Sequence, residues 1–96
     1  MKKTSFQREI ISKIRKLREE VNMSQVDFAR LLDISPGVIG NIESIKYSHK
    51  YTLAQIYTIC QYFHIGVDKL FLTDEDYSSD KDFVDLLISK IVEYES

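Results

Sequence analysis

Residue types that carry catalysis or bind metals are scattered along this sequence. His49 and His64 stand alone, with no Ser/His/Asp or Cys/His arrangement in a supporting context, and no glycine-rich phosphate loop is present. Asp74 and Asp76 lie close together, but that stretch lacks the loop glycine and terminal glutamate of a calcium-binding EF-hand. We therefore expect no enzyme activity, no cofactor and no metal site.

The remaining chemistry is hydrogen bonding, and its residues gather in the stretch 23–44, which has the pattern of two short helices joined by a tight turn. Ser24 is suited to cap the first helix, with Asp27 three residues later as in a capping box. Ser35 is suited to cap the second, and Pro36 to take its first position, where the missing N–H costs nothing. The predicted helices cover about 24–32 and 36–44.

Apolar spacing gives each of these helices two faces. Phe28, Ala29 and Leu32 form one stripe, and Ile39 and Ile42 point to the core from the second helix. A helix that starts a few residues after another crosses it steeply, which leaves its outer face free to enter a groove. That outer face contains Gly37, Gly40, Asn41 and Ser44.

Three segments of the sequence resemble one family. "MSQVDFARLLDIS" resembles helix 2 of the Cro/cI-type (XRE-like) DNA-binding domains, "GVIGNIE" their helix 3, and "TLAQIYTICQYFHIGVDKLF" their helices 4 and 5. The resemblance covers about Ile14 to Phe71. It implies an all-α, five-helix, lambda-repressor-like domain, here followed by an additional C-terminal amphipathic helix.

The resemblance also implies roles for individual residues. Arg18 and Glu43 occupy the places of a family ion pair, so we expect a partly buried, bidentate pair that fixes the recognition helix against helix 1. Gln25 is expected to bond a DNA phosphate at a helix N-terminus, the alternative being a solvent-exposed polar residue. The places of base-edge contacts hold Ser35, Pro36, Gly37, Val38, Gly40 and Asn41.

These residue types depart from the family, in which Gln, Arg, Ser and Thr are common. Asn41 can bond adenine through both amide atoms, and Val38 can touch a thymine methyl if it faces outward. No Arg or Lys lies between Arg30 and Lys46, so the strongest reader of guanine is missing. Weak direct readout, reliance on DNA shape, and close backbone approach at the glycines all fit, as does loss of DNA binding in favour of a protein partner.

The loop after the recognition helix adds cations and aromatic rings. Lys46 and Lys50 are expected near the DNA backbone or near a dimer mate. Ser44, like Ser35, is suited to contact a phosphate or either base. Tyr47 and Tyr51 either bond phosphates through their hydroxyls or cover the core.

Outside the motif, helical spacing predicts three more elements. The first helix has the stripe Phe6, Ile10, Ile14, Leu17 and Val21, preceded by residues 1–5, which either fray or begin the helix. Thr52 caps a helix with the stripe Leu53, Ile56, Ile59, Cys60 and Phe63. We predict a domain over 6–71, an acidic linker over 72–80 and an amphipathic helix over 81–95. That last helix either folds back or joins a second chain, and we favour dimerisation.

Composition fits one domain plus an appendage. The 96 residues are 44% hydrophobic and carry a net charge of −2. Residues 1–50 have ten Lys or Arg against six Asp or Glu, whereas residues 51–96 have three against nine. This asymmetry fits one DNA-facing and one DNA-averse side, or chance segregation on solvated faces. Cys60 is the single cysteine, and no run is apolar enough for a membrane span or a signal segment, so we expect a cytoplasmic protein.

Two functions follow as hypotheses. The leading one is a sequence-specific transcriptional regulator that binds double-stranded DNA, a repressor that acts as a homodimer on a two-fold-related operator. The alternative is an antitoxin-like or regulator-binding module that uses the same scaffold to bind another protein.

Overall fold

The computed structural model describes residues 2–96, which form seven helices and no strand. In chain order the helices are α1 (Ser5–Glu20), α2 (Gln25–Leu32), α3 (Pro36–Glu43), α4 (Leu53–Phe63), α5 (Val67–Phe71), α6 (Asp74–Tyr77) and α7 (Phe83–Glu95). The all-α class is confirmed. The count exceeds the expected five plus one because the acidic stretch contains a helical turn of its own.

Side-chain caps determine where most helices begin. Thr4, Ser24, Thr52 and Thr73 each accept a hydrogen bond from the backbone N–H three residues later, and the side chain at that position bonds back to the cap residue. Ser35 stands at the cap position of α3, but its side chain makes no such bond, contrary to our expectation. The start of α3 therefore depends on Pro36 and on packing.

Left-handed residues end two of the helices, as their positions suggest. Asp33 after α2 and His64 after α4 both have a φ of 56°. Neither is glycine, but a left-handed Asp or His lets the chain turn sharply and supplies backbone N–H groups to the last carbonyls of the helix.

One core joins six of the seven helices. Its buried members are Ile10, Ile11, Ile14, Phe28, Ala29, Ile39, Ile42, Tyr51, Ile56, Ile59, Cys60, Leu70, Phe71 and Tyr94. Two predicted core residues are wrong: Val21 is 51% exposed and Leu53 is 39% exposed. Val21 follows the last turn of α1 and Leu53 opens α4, and at helix ends the apolar spacing no longer indicates which way the core lies.

The tail helix α7 folds back on its own chain. Tyr94 is fully buried, and its ring lies edge-on to Phe71 with the ring centroids 5.7 Å apart. Its hydroxyl donates to the Tyr51 carbonyl at 2.8 Å, and its own carbonyl accepts from Gln7 Nε2 at 2.7 Å. The last turn of α7 is thus part of the core, while α7 still begins two residues later than the expected 81.

The stretch 72–80, which the sequence predicts as an acidic linker, contains a short helix. Leu72 is buried, and α6 follows directly. The Tyr77 hydroxyl donates to the Asp68 carboxylate at 2.6 Å, and this bond raises the pKa of Tyr77 to about 12. This contact attaches α6 to α5.

Among residues 2–96, no helix is both long enough and apolar enough to cross a membrane.

Removing the hydroxyl of Tyr94 is expected to destabilise the fold. Tyr94→Phe leaves the buried Tyr51 carbonyl without this partner, which we expect to lower the free energy of unfolding by about 1–3 kcal/mol. Urea denaturation measures it. Tyr62→Phe, at a ring that is 49% exposed, is the control and should change little. Equal stability of the two variants would show that the hydroxyl does not fasten α7.

Candidate nucleic-acid interface

Helices α2 and α3 meet across a turn of three residues. The Ile34 N–H donates to the Ala29 carbonyl at 3.0 Å and the Asp33 N–H to the Arg30 carbonyl at 3.3 Å, which closes α2 tightly. Ile39 and Ile42 on α3 are 0% and 2% exposed. The inner side of α3 is therefore fixed by apolar packing, as the spacing predicts.

The structure brings Arg18 and Glu43 together in a two-pronged ion pair. Arg18 Nε donates to Glu43 Oε2 at 3.0 Å and Nη2 donates to Oε1 at 2.9 Å. Their side chains are only 8% and 3% exposed. The third guanidinium nitrogen of Arg18, Nη1, donates to the Met23 carbonyl at 2.7 Å. One guanidinium thus joins α1, the turn before α2 and the end of α3.

The position of Glu43 explains why this pairing is needed. A carboxylate in the last turn of a helix faces the negative end of the helix dipole, and α3 has no basic residue there. Gln25 from α2 adds a hydrogen bond from Nε2 to Glu43 Oε1 at 2.9 Å. Three helices therefore meet at one carboxylate.

Sequence reasoning missed Lys3, a second cation at the same end of α3. Its ammonium donates to the carbonyls of Asn41 (3.4 Å), Ser44 (2.6 Å) and Tyr47 (2.5 Å). The residue is 7% exposed, and burial lowers the pKa of Lys3. Residues 3–4 are therefore not a frayed end, since Thr4 caps α1 as well. The sequence feature that could have indicated this contact is the absence of a basic residue in the last turn of α3, which leaves its carbonyls to be satisfied by a cation from elsewhere in the chain.

Tyr51 lies in the core, so it cannot bond a phosphate. It is fully buried, with its ring edge-on to Phe28 at 6.1 Å between centroids. Its hydroxyl has no hydrogen-bond partner among the described residues. Burial raises the pKa of Tyr51, and the charge of Glu43 raises it further. Tyr51 is therefore a core residue close enough to the Arg18–Glu43 pair to sense its charges.

The outer face of α3 is open and poor in side chains. Ser35, Pro36 and Gly37 are exposed, and Gly40, Asn41 and Ser44 are partly exposed. The sequence assigns Val38 a thymine contact only if it faces outward, and Val38 is instead partly buried and packs against the core. The Ser44 hydroxyl already accepts a hydrogen bond from the Lys46 N–H at 3.2 Å within the loop.

Neither glycine of α3 is required by packing within the chain. A Cβ added at Gly37 would meet nothing within 4 Å, and one at Gly40 would meet only Gln25 Oε1 at 3.7 Å. Both values leave room for an ordinary methyl group. Nothing in the chain itself therefore requires glycine on this face.

The cations near α3 differ from those expected. Lys46 is exposed, but the Lys50 ammonium donates to the carbonyls of Tyr94 and Glu95 at 3.1 and 3.0 Å, so it is not free at the surface. Arg8 and Arg15 of α1 line a cleft of about 240 Å³ beside the end of α3. These two arginines are cations that the sequence reading did not assign to this surface.

Within the described part of the chain, no cluster of three or more His, Cys, Asp or Glu is arranged to bind a metal ion.

Comparison with known families agrees with this geometry. The helix-turn-helix family model matches residues 14–70, which is more than half of the chain. The chain belongs to the helix-turn-helix family, of the Cro/cI (XRE-like) type. Comparisons with curated proteins and with solved structures found no match. Members of this family are DNA-binding regulators of transcription, and the matched residues include both α2 and α3.

Arg18→Met is expected to destabilise this helix-turn-helix domain strongly. It would leave the buried Glu43 carboxylate unpaired, at a cost of about 3–5 kcal/mol in the free energy of unfolding. Arg30→Met removes an arginine whose side chain is 76% exposed and should cost less than about 1 kcal/mol. Urea denaturation compares the two, and similar small losses would mean that the Arg18–Glu43 pair is dispensable.

Gly37→Ala is expected to stabilise the protein. Alanine favours helix over glycine by up to about 1 kcal/mol, and the added methyl group meets nothing. Thermal or urea unfolding of Gly37→Ala against the wild type measures the gain. A loss of stability would show that the glycine is required inside the fold.

Proposed function

We propose that this protein is a sequence-specific repressor that binds double-stranded DNA as a homodimer on a two-fold-related operator. The observation that carries the proposal is the outer face of α3, which is exposed and unobstructed while the inner face is held by Ile39, Ile42 and the Arg18–Glu43 pair. A rigid helix with a free face is what major-groove entry requires.

Phosphate contacts would fix the position of α3 on the duplex. Gln25 lies at the N-terminus of α2, where free backbone N–H groups favour an anion. Its Nε2 already donates to Glu43, which orients the side chain and leaves one N–H available. Lys46 after α3, together with Arg8 and Arg15 along α1, supplies positive charge on the same side.

Base recognition would rest mainly on Asn41 and on shape. The Asn41 amide can pair with adenine through both of its polar atoms. The bare surface at Gly37 and Gly40 lets the helix backbone approach the base edges or sugars more closely than any larger residue would. With no Arg or Lys on α3, discrimination would depend partly on the deformability of the operator.

The alternative function is a module that binds another protein, of the antitoxin or regulator-binding kind. Two observations favour it: α3 carries no cation, and α7 leaves Val84, Ile88 and Val92 more than half exposed. Stable co-purification with a different chain, without any DNA affinity, would support this alternative.

Selection from random duplex DNA tests the proposal directly. We expect enrichment of a palindromic site whose half-sites are about one helical turn apart, because a two-fold dimer presents two recognition helices at that spacing. No enrichment over input would contradict DNA recognition, and a non-palindromic site would contradict the two-fold operator.

Variants can separate phosphate contacts from base readout on the selected duplex. Lys46→Ala should make the negative slope of the logarithm of the DNA-binding constant against the logarithm of the salt concentration less steep by about 0.9. Lys16→Ala, on the side of α1 next to α5, should leave this slope unchanged. Asn41→Ala should relax preference at one base position by about 1–3 kcal/mol. An unchanged preference would remove Asn41 from the set of base-reading residues.

Gly37→Ala should bind the selected duplex more weakly although its fold is more stable. The methyl group would occupy the space that we assign to close approach of the DNA. A titration with the selected duplex measures this, and undiminished affinity would mean that the glycine is merely tolerated.

A further inference from the structure

An open groove between α1 and α5 has an apolar floor. Its volume is about 460 Å³, and its apolar lining consists of Leu17, Ile65 and Leu70. Leu70 is buried, while Leu17 and Ile65 are partly buried and pack against the core. All three side chains are aliphatic, and the lining contains no aromatic ring. The volume is in the range of small-molecule sites, about 300–1,000 Å³, and the floor suits an aliphatic chain.

Three lysines surround this floor. Lys13, Lys16 and Lys69 line the groove, and none of them forms an ion pair with a carboxylate in the part of the chain that the structure describes. The Lys13 ammonium donates to the Leu70 carbonyl at 3.0 Å. The Lys69 ammonium lies 4.9 Å from the centroid of the Tyr77 ring. Two of the three charges are therefore positioned by the fold itself.

Carboxylates offset only part of this positive charge. Glu20 is exposed and is the one carboxylate among the lining residues. Asp68 precedes Lys69 in the chain, but its carboxylate accepts a hydrogen bond from the Tyr77 hydroxyl at 2.6 Å, and no residue of α6 lines the groove. Three ammonium groups therefore face one carboxylate within the groove, which favours an anion.

An aliphatic floor with unpaired cations at its edge is complementary to a small molecule that has an apolar chain and a negative head group. The chain removes the leucine and isoleucine surface from water, and the head group accepts charge-assisted hydrogen bonds from the lysines. The lining of seven residues is too small for a stable protein interface, which uses about 20–30 residues on each side.

We propose that the groove between α1 and α5 binds a small aliphatic carboxylate. Its chain lies on the apolar floor, and its carboxylate is bonded by the three lysines. Helix α3 contributes no residue to the lining, so this site is separate from the proposed DNA-binding surface. The inference goes beyond the proposed function and does not depend on it.

Titration of the full chain with octanoate, in the absence of DNA, tests the site. Octanoate should shift the ¹³C methyl signals of Leu17, Ile65 and Leu70 until they saturate. Acetate has the charge without the chain, and octanol has the chain without the charge. Each of these two should bind at least about tenfold more weakly than octanoate, because it lacks one of the two contacts.

Paired variants separate the lysines of the groove from the general charge of the protein. Lys16→Gln/Lys69→Gln should weaken octanoate binding about tenfold, because it removes two of the three cations. Lys46→Gln/Lys81→Gln removes two exposed lysines that do not line the groove and should leave octanoate binding unchanged. All four side chains are exposed, so both variants should fold, which their urea unfolding midpoints check.

Several results would overturn the proposal. Equal weakening by both double variants would attribute binding to overall charge, and equal binding of octanol would remove the lysines from recognition. Methyl shifts confined to Val84, Ile88 and Val92 would place the chain on α7 instead. Binding of an acidic, leucine-containing peptide at this groove, with no binding of octanoate, would indicate a protein partner. Failure of random-duplex selection would end the DNA proposal and leave this one standing.

Discussion

The Arg18–Glu43 pair is the interaction on which the orientation of α3, and with it the proposed DNA-binding surface, depends. Glu43 places a negative charge at the end of α3 that already carries the negative pole of the helix, inside a region that is almost closed to solvent. Arg18 resolves this conflict by bonding both carboxylate oxygens and the Met23 carbonyl. The orientation of α3 is therefore set by contacts on its inner side and at its C-terminal end, and its outer face makes few contacts within the fold.

Lysines in this protein repeatedly stabilise helix ends. Lys3 bonds carbonyls at the end of α3, Lys13 bonds the Leu70 carbonyl in α5 at 3.0 Å, and Lys50 bonds the last carbonyls of α7. Each ammonium satisfies acceptors that a helix leaves unpaired. Positive charge that a count of residues would assign to the DNA is thus partly used within the fold, which leaves Lys46, Arg8 and Arg15 as the cations nearest to the open face of α3.

The sequence sufficed for local features and failed for distant ones. Helix caps and apolar spacing predicted α2, α3 and their turn, because those signals act within a few residues. The burial of Lys3 could not be predicted, because its acceptors lie about 40 residues away and depend on how α1 crosses α3. Leu53 was misplaced because spacing identifies a helix face, while the neighbouring helices decide which part of that face is covered.

The proposed function requires that the outer face of α3, whose inner face is fixed by Ile39, Ile42 and the Arg18–Glu43 pair, contacts duplex DNA. Amide chemical shifts of the ¹⁵N-labelled chain, recorded during titration with the selected duplex, test it most directly. We predict that the largest shifts occur at Gly37, Gly40 and Asn41 and at the first residues of α2, with little change across α4. Shifts confined to α4 and α7, with α3 unaffected, would contradict the account.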